Sequence, residues 1–497
     1  MPGKRIMVVG AGVSGLGAIK ICLEEGLEPI CFEESNDIGG LWRYEVSLNI
    51  VYKSVISNTS KEMMAYSDYP FPDHFPNYLH NSKIMEYLHM YVKHFHLLKH
   101  IRFLSKVCSV RKKKESYVFD GIMVCSGLFT NPFMPLQKFP GIMRFKGQYI
   151  HSWEYKSPEK FQGKKIIVIG IGNSAIDLAI ELSHVAAQVF LSTRSGAWIW
   201  NWVWDSGMPM DTVLFTRFNS LVKKIFPEFL IHRWAENKLN VRFNHDIYGL
   251  LPQHRFLSHQ ASFGDDLPNY IITGRVRMKP NVTKFTETSA IFEDSTEEDV
   301  DVIIFATGYT CSFPFLENNS TVLDIQRSMY KFVFPPELEK PTLAFIGILQ
   351  PVGATIPTSE LQSQWAARVF KGLNKLPSVK TCFLMKVSRK VQYVDYMDEI
   401  ASEIAVKPNL FSLFLWDPKL ALELFLGPCT SYQYRLQGPG KWAGAREAIL
   451  TQRERIIKPL RTRTLICAQA PCCVPLWLKS ICVALLLFVL TFIIIKG

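Results

Sequence analysis

The same local plan occurs twice in this chain, and few folds accommodate it. The first copy reads Arg5-Ile-Met-Val-Val-Gly10-Ala11-Gly12-Val13-Ser14-Gly15 and runs into an apolar-periodic stretch ending at Glu25. The second, about 160 residues later, reads Lys165-Ile-Ile-Val-Ile-Gly170-Ile-Gly172-Asn173-Ser174-Ala175 and continues from Ile176 to Ser183. Each is a β-branched run, a glycine turn and a segment of helical period. A lone GxGxxG says little, because glycine-rich turns are common. Set between a buried-strand pattern and a helix it is specific, and two such placements argue strongly against chance. The first glycine permits the tight turn, and the second lets backbone approach a pyrophosphate. The third lets the helix pack on the strand, where Ala175 is an accepted substitute. The phosphates then meet a helix N-terminus, whose unpaired N–H groups and macrodipole favour an anion. The expected fold is therefore α/β, with two Rossmann-like dinucleotide-binding domains.

The ends of the next strands separate the two nucleotides. Leu27–Phe32 leads to Glu33, 18 residues beyond Gly15. A carboxylate there accepts hydrogen bonds from ribose hydroxyls and repels a 2′-phosphate. Gln188–Leu191 leads instead to Ser192-Thr193-Arg194-Ser195, and a guanidinium fork suits phosphate oxygens. The first site is thus expected to hold FAD and the second NADPH. Two further strand patterns, Phe119–Val124 before Cys125-Ser126-Gly127 and Val300–Phe305 before Ala306-Thr307-Gly308, end in small residues that let backbone lie near a cofactor. The expected division is an FAD domain of residues 1–150 and 300–430, with an NADPH domain of 155–300 inserted. A C-terminal extension (431–473) and a hydrophobic tail helix (474–497) complete it.

With 497 residues, 48% of them hydrophobic and 20% charged, the chain has material for two or three globular domains. The net charge of +12 is dispersed, and the one tight run, Lys112 to Lys114, belongs to no nucleic-acid motif; no nucleic-acid partner is expected. Eleven cysteines without CxxC spacing fit neither a disulfide scaffold nor a zinc ribbon. No metal site is expected. The sequons at Asn58, Asn281 and Asn319 read as chance, since the N-terminus is already a folded element rather than a signal peptide. Leu476–Ile495 reads LWLKSICVALLLFVLTFIII, close to the roughly 20 apolar residues that span a bilayer. Lys458, Arg461 and Arg463 precede it and favour a cytosolic body. A membrane partner through this tail is expected.

Between the two units stands Phe145-Lys-Gly147-Gln-Tyr-Ile-His151-Ser-Trp-Glu-Tyr155, which matches the FxGxxxHxxx(F/Y/W) motif of the flavin-containing monooxygenases. With both glycine turns, Ala306-Thr307-Gly308-Tyr309, Gly39-Gly40-Leu41-Trp42, Ser57-Asn58-Thr59-Ser60-Lys61-Glu62-Met63 and Gly438-Pro-Gly-Lys-Trp442, nearly the whole chain resembles the mammalian microsomal members of that family, the dimethylaniline monooxygenases of N-oxide-forming type. The resemblance implies NADPH- and O2-dependent oxygenation of small soft nucleophiles, amines and thioethers, through a C4a-hydroperoxyflavin. It also implies the endoplasmic reticulum membrane, with the catalytic body facing the cytosol. The chemistry belongs to the cofactor, so no catalytic triad or metal is needed. Carried over residue by residue, Gly10, Ala11, Gly12, Val13, Ser14, Gly15, Glu33, Leu41, Trp42, Asn58 and Thr59 contact FAD. Ser57, Asn58, Gly170, Gly172, Ser174, Ala175, Ile176, Asp177 and Arg194 contact NADP. Asn58 is the residue expected beside the reactive flavin carbon, and His151 reads as a structural hydrogen-bonding histidine.

The chain departs from that family by being short in three places: after Trp42 (Arg43–Asn49), after Val110 (Arg111–Ser116) and over Ser378–Gln392. Leu128-Phe129 stands where a His-His pair is common, and Trp153 where Arg or Gln is. Missing strands leave backbone groups unpaired, at about 1–3 kcal/mol each if buried. This sets up a second reading, a catalytically impaired relative that binds FAD weakly. A third, an NADPH-dependent disulfide reductase, shares the two-nucleotide plan but lacks the required CxxC.

Overall fold

A computed structural model describes residues 3–45, 51–111, 118–258, 262–316, 329–338, 340–349, 352–378 and 392–463. The three shortened segments lie largely, and the hydrophobic tail wholly, outside the described residues. The elements that position the site are, in chain order, β1 (Arg5–Val9), α1 (Val13–Glu24), β2 (Glu28–Phe32), α2 (Lys61–Met64), α3 (Asn81–His94), β3 (Ile101–Arg102), β4 (Gly121–Val124), β5 (Gln148–His151), β6 (Lys165–Ile169), α4 (Asn173–Leu182), β7 (Gln188–Ser192), α5 (Met210–Leu214), β8 (Val276–Lys279), β9 (Val302–Phe305), β10 (Leu343–Phe345) and α6 (Thr355–Lys371).

The strands form two five-stranded parallel sheets of matching order. The first runs β10-β4-β1-β2-β3 and the second β5-β9-β6-β7-β8. β1 and β6 are central in their sheets and almost wholly buried, which is why they read as unbroken apolar runs rather than alternating ones. Even the closing hydrogen bonds repeat. The Gly10 N–H donates to Phe32 O at 2.9 Å and the Gly170 N–H to Ser192 O at 3.0 Å.

Sheet membership moves the expected boundaries. β5 and β9 pair with the second sheet, so that sheet takes in residues on both sides of the expected limits at 150–155 and 300. The pattern at Val300–Phe305 identified the strand; its partner was a matter of tertiary pairing. The first sheet recruits β10 from far along the chain, in register with β4.

Behind the first sheet α1 packs on α6, and buried charge ties them together. Lys20 Nζ meets Glu24 at 2.6 Å and also pairs with Asp68. The Arg435 guanidinium reaches Glu24 and Glu360, each at 3.1 Å, and the Ser67 N–H donates to Glu360 at 2.8 Å. Every one of these charges has an opposite partner, and losing one partner of such a buried network costs about 3–5 kcal/mol. Among the described residues no helix is long and apolar enough to cross a membrane.

Candidate active site

The first glycine turn can be built only from glycine. Gly10 has φ +97°, and a Cβ there would lie 3.0 Å from Cys125 O. A Cβ on Gly15 would lie 1.9 Å from Gly10 O. The N-cap of α1, Gly12, offers no side chain to the first turn, so the leading N–H groups stay available to an anion. Gly39 and Gly40 fold over this turn: the Gly39 N–H donates to Ala11 O at 3.0 Å, and a Cβ on Gly40 would come to 3.0 Å from Gly12 Cα. That brings Leu41, exposed, and Trp42, half-buried, to the rim.

Glu33 leaves the end of β2 and accepts from the Ala11 N–H at 2.6 Å; its other oxygen accepts from the N–H and hydroxyl of Ser35 at 2.8 and 2.7 Å. The carboxylate thus stands at the mouth of the turn, where ribose hydroxyls would meet it. Val13 O accepts from the Tyr66 hydroxyl at 2.6 Å, and Ser14 is buried, its Oγ in the space a Cβ on Gly347 would fill. The bare helix start, the covering glycine turn and the carboxylate make a cradle that fits an adenine dinucleotide lacking a 2′-phosphate.

The second turn repeats this geometry with different surroundings. Gly170 has φ +132°, and its Cβ would meet Ala306 O at 2.4 Å; a Cβ on Gly172 would meet nothing within 4 Å. Helix α4 also starts without a side-chain cap. Ala175 and Ile176 are buried, and their amides both close on Gly172 O, so the open backbone of this turn is at Asn173 and Ser174. Asp177 accepts from the Tyr52 hydroxyl at 2.5 Å. Its side chain and that of Ile176 therefore face inward, and what these two offer a phosphate is the first helical turn. Arg194, past the end of β7, is exposed beside Thr193, whose hydroxyl accepts from the Gly196 N–H at 3.1 Å. Exposed cation and bare helix end together fit a nucleotide that carries a 2′-phosphate.

A strap, residues 51–60, joins the two units. Its first half is docked on the second: besides Tyr52 with Asp177, Ser54 donates to Glu181 at 2.7 Å and the Lys53 N–H to Lys156 O at 3.2 Å. Its second half is held by the first. Ser57 is buried, its hydroxyl donating to Thr59 O and accepting from the Leu79 N–H, both at 2.9 Å. The buried Lys61 ammonium donates to Asp73 O and Phe75 O at 2.7 and 2.9 Å; burial lowers its pKa to about 8. Between these anchors Asn58 is exposed and Thr59 half-buried. Ser57, named above as an NADP contact, has its hydroxyl engaged inside the strap.

Two acids hold the strap, Asp177 half-buried and Asp211 buried, and neither contact was legible in the sequence. Burial raises Asp177 to about 6, against the opposing hydrogen bond from Tyr52. Asp211, on α5, is raised to about 6 by burial, against the hydrogen bond from Ser60. No motif marks Tyr52 or Asp211, and their partners lie 125 and 151 residues away.

His151 fixes the edge of the second sheet. Its Nδ1 accepts from the Trp153 N–H at 3.1 Å, which leaves the proton on Nε2 to donate to Gly308 O at 3.0 Å. Burial lowers its pKa and keeps it neutral. Its role is structural, as expected. Among the described residues no group of acids, histidines and cysteines could hold a metal.

Comparison with known proteins agrees with this arrangement. The flavin-binding monooxygenase-like family model matches residues 3–496. Flavin-containing monooxygenase 5 of Oryctolagus cuniculus is 55% identical over 93% of this chain and 94% of its own length. Dimethylaniline monooxygenase [N-oxide-forming] 2 of Mus musculus is 50% identical over 93% and 94%. Among solved structures, S-allyl-L-cysteine S-oxygenase from Allium sativum shares the fold with a TM-score of 0.60 at 20% identity, over 92% of this chain and 99% of that one. The disulfide-reductase reading is thereby set aside. With its two dinucleotide cradles and this kinship, the chain belongs to the flavin-binding monooxygenase-like family, as an FAD- and NADPH-dependent monooxygenase.

Proposed function

We propose that the chain oxygenates small soft nucleophiles, at the nitrogen of amines and the sulfur of thioethers. The observation that carries this is Asn58, the exposed apex of a strap pinned to both dinucleotide units. The reaction balances as NADPH, a proton, O2 and substrate giving NADP, water and the oxygenated substrate. Bound flavin supplies hydride acceptance and oxygen activation. The protein's part is placement and exclusion of water. Gly10 to Gly15 and Glu33 hold FAD, with Leu41 and Trp42 at its rim. Gly170 to Asp177 receive the NADPH pyrophosphate through the helix end, and Arg194 meets its 2′-phosphate. The Asn58 amide presents a donor and an acceptor where the two nucleotides meet. An oxidant made before substrate arrives needs few specific contacts, consistent with the breadth of soft nucleophiles. The printed name of the mouse relative, N-oxide-forming, supports the nitrogen arm.

The test is aerobic NADPH consumption with a tertiary amine and with a thioether. Product should form, and Asn58→Leu should lower product per NADPH while hydrogen peroxide rises and flavin reduction survives. Unchanged coupling in that variant would remove Asn58 from the reading. If no FAD binds at any concentration, the impaired-relative reading takes its place.

The run Leu476–Ile495, apolar and preceded by Arg461 and Arg463, completes the proposal as an anchor in the endoplasmic reticulum membrane with the body facing the cytosol. Deleting residues 474–497 should release the protein into detergent-free solution with its FAD content unchanged. Full-length protein that is soluble without detergent would refute it.

A further inference from the structure

Among the described residues Asn58 has no hydrogen-bond partner, so its position is set by its neighbours, and one neighbour is held from an unexpected direction. The Ser60 N–H donates to Asp211 Oδ2 at 2.7 Å, across 151 residues of chain. Both residues are buried. Asp211 does not come from the first unit, which supplies the glycine turn. It sits on α5, in the segment that follows the second unit's β7. That segment is itself fastened. The Met210 N–H donates to Trp202 O at 2.9 Å, the Trp202 N–H to Asp265 at 3.0 Å, and the Tyr78 hydroxyl to Trp202 O at 2.6 Å, with the Tyr78 and Trp202 rings 5.1 Å apart.

A carboxylate at this depth is costly unless matched, and the Ser60 N–H matches Asp211. Thr59 O is held by the Ser57 hydroxyl and Ser60 O by the Met63 and Met64 N–H groups, all from the FAD-side unit, whereas the Ser60 N–H is held by Asp211 from the NADPH-side segment. Ser60 has φ −70° and ψ 153°, an extended conformation from which the chain turns straight into α2. A shift there re-aims the two residues before it.

We propose that Asp211 is a positioning residue for the oxygenation site, holding Ser60 and through it Asn58 against the nucleotides. The proposal rests on the reading of Asn58 given above. It makes the NADPH-side segment a determinant of how well the FAD-side loop couples electrons to product, because a misplaced side chain at a reacting centre loses far more rate than binding.

The test uses the full-length holoenzyme with a thioether, reading NADPH consumed, sulfoxide formed, hydrogen peroxide released and FAD bound per chain. Asp211→Ala should keep its FAD and its NADPH oxidation while peroxide per NADPH rises severalfold. Asp211→Asn keeps an acceptor for the Ser60 N–H and should restore most of the coupling. Ser60→Pro deletes the same bond from the other side, at a φ proline adopts without strain, and should leak as Asp211→Ala does; it also serves if Asp211→Ala fails to fold. Residues that act through one another are not additive, so in the Asn58→Leu background Asp211→Ala should add no further leak. Coupling equal to the parent in both Asp211→Ala and Ser60→Pro would overturn the proposal, as would, where Asn58→Leu itself leaks, an Asp211→Ala leak that adds fully to it. If Asn58→Leu stays coupled while Asp211→Ala leaks, the role of Asn58 falls and the positioning of the loop stands, acting through Thr59.

Discussion

At the third small position of its turn the first unit has Gly15 and the second Ala175. A Cβ at Gly15 would lie 1.9 Å from a carbonyl oxygen, whereas the Ala175 methyl is accommodated in a buried site. Two residues further on, Gly17 packs under the Tyr66 ring, where a Cβ would stand 3.3 Å away, and Asp177 instead reaches out to Tyr52. One strand later, Glu33 covers the first turn and Thr193-Arg194 flank the second. The first turn lies under Gly39-Gly40 and is backed by buried charge, and the second opens to free space at Gly172. The same backbone plan fixes where a pyrophosphate sits. What surrounds that plan decides whether the nucleotide is enclosed, as suits a resident flavin, or can come and go, as suits a reductant consumed at each turnover.

Exchanging the two turns' small residues is the severest way to break the comparison. Gly15→Ala should abolish FAD retention, because the clash is with backbone that cannot swing aside. Ala175→Gly should cost only about 0.5–1 kcal/mol, the entropic penalty of glycine in a helix. Bound FAD per chain and melting temperature report both. Similar behaviour of the two variants would mean the first turn is as relaxed as the second.

The next effect separates the helices. Asp177 titrates at about 6 when folded, above the usual 3.8, so the folded chain holds this proton more tightly than the unfolded one. Its contribution to stability is fully present below 3.8 and is lost as pH rises through 6. The loss is on the order of 3 kcal/mol. Asp177→Asn keeps an acceptor for Tyr52 and should therefore melt above the parent near about pH 8 and lose that advantage near about pH 4. Gly17 gives the first unit no such dependence. A melting difference that ignores pH would show that folding leaves the Asp177 pKa at its unfolded value.

Arg194→Ala sharpens the contrast at the strand ends. It should weaken NADPH by about 1.5–3 kcal/mol, a lost charged hydrogen bond, with little change for NADH or for FAD content. Equal losses for NADPH and NADH in Michaelis constants would take Arg194 away from the 2′-phosphate.

Much of this was legible from residues alone because the nucleotide turns are local. Strand, turn and helix lie within about 20 residues, and Gly15 answers to Gly10 O inside that window. The positions of Glu33 and Arg194 at the ends of the next strands were readable for the same reason. The partners of β5 and β9 were not, because an apolar strand pattern carries no mark of which parallel sheet will receive it. Nor were the inward turns of Ile176 and Asp177, since helical period tells which residues share a face but not what packs on it.

The amino-acid sequence by itself determined that the chain carries two dinucleotide-binding turns and that Asn58 stands in a family-specific context. Tertiary structure alone decided what holds Asn58 in place. Tyr52 with Asp177 and Ser60 with Asp211 join residues more than a hundred positions apart. A single hydrogen bond between groups so distant in the chain leaves no periodicity and no spacing to read. It exists only once packing has brought both ends out of water, where an unmet carboxylate or N–H is costly enough to be matched.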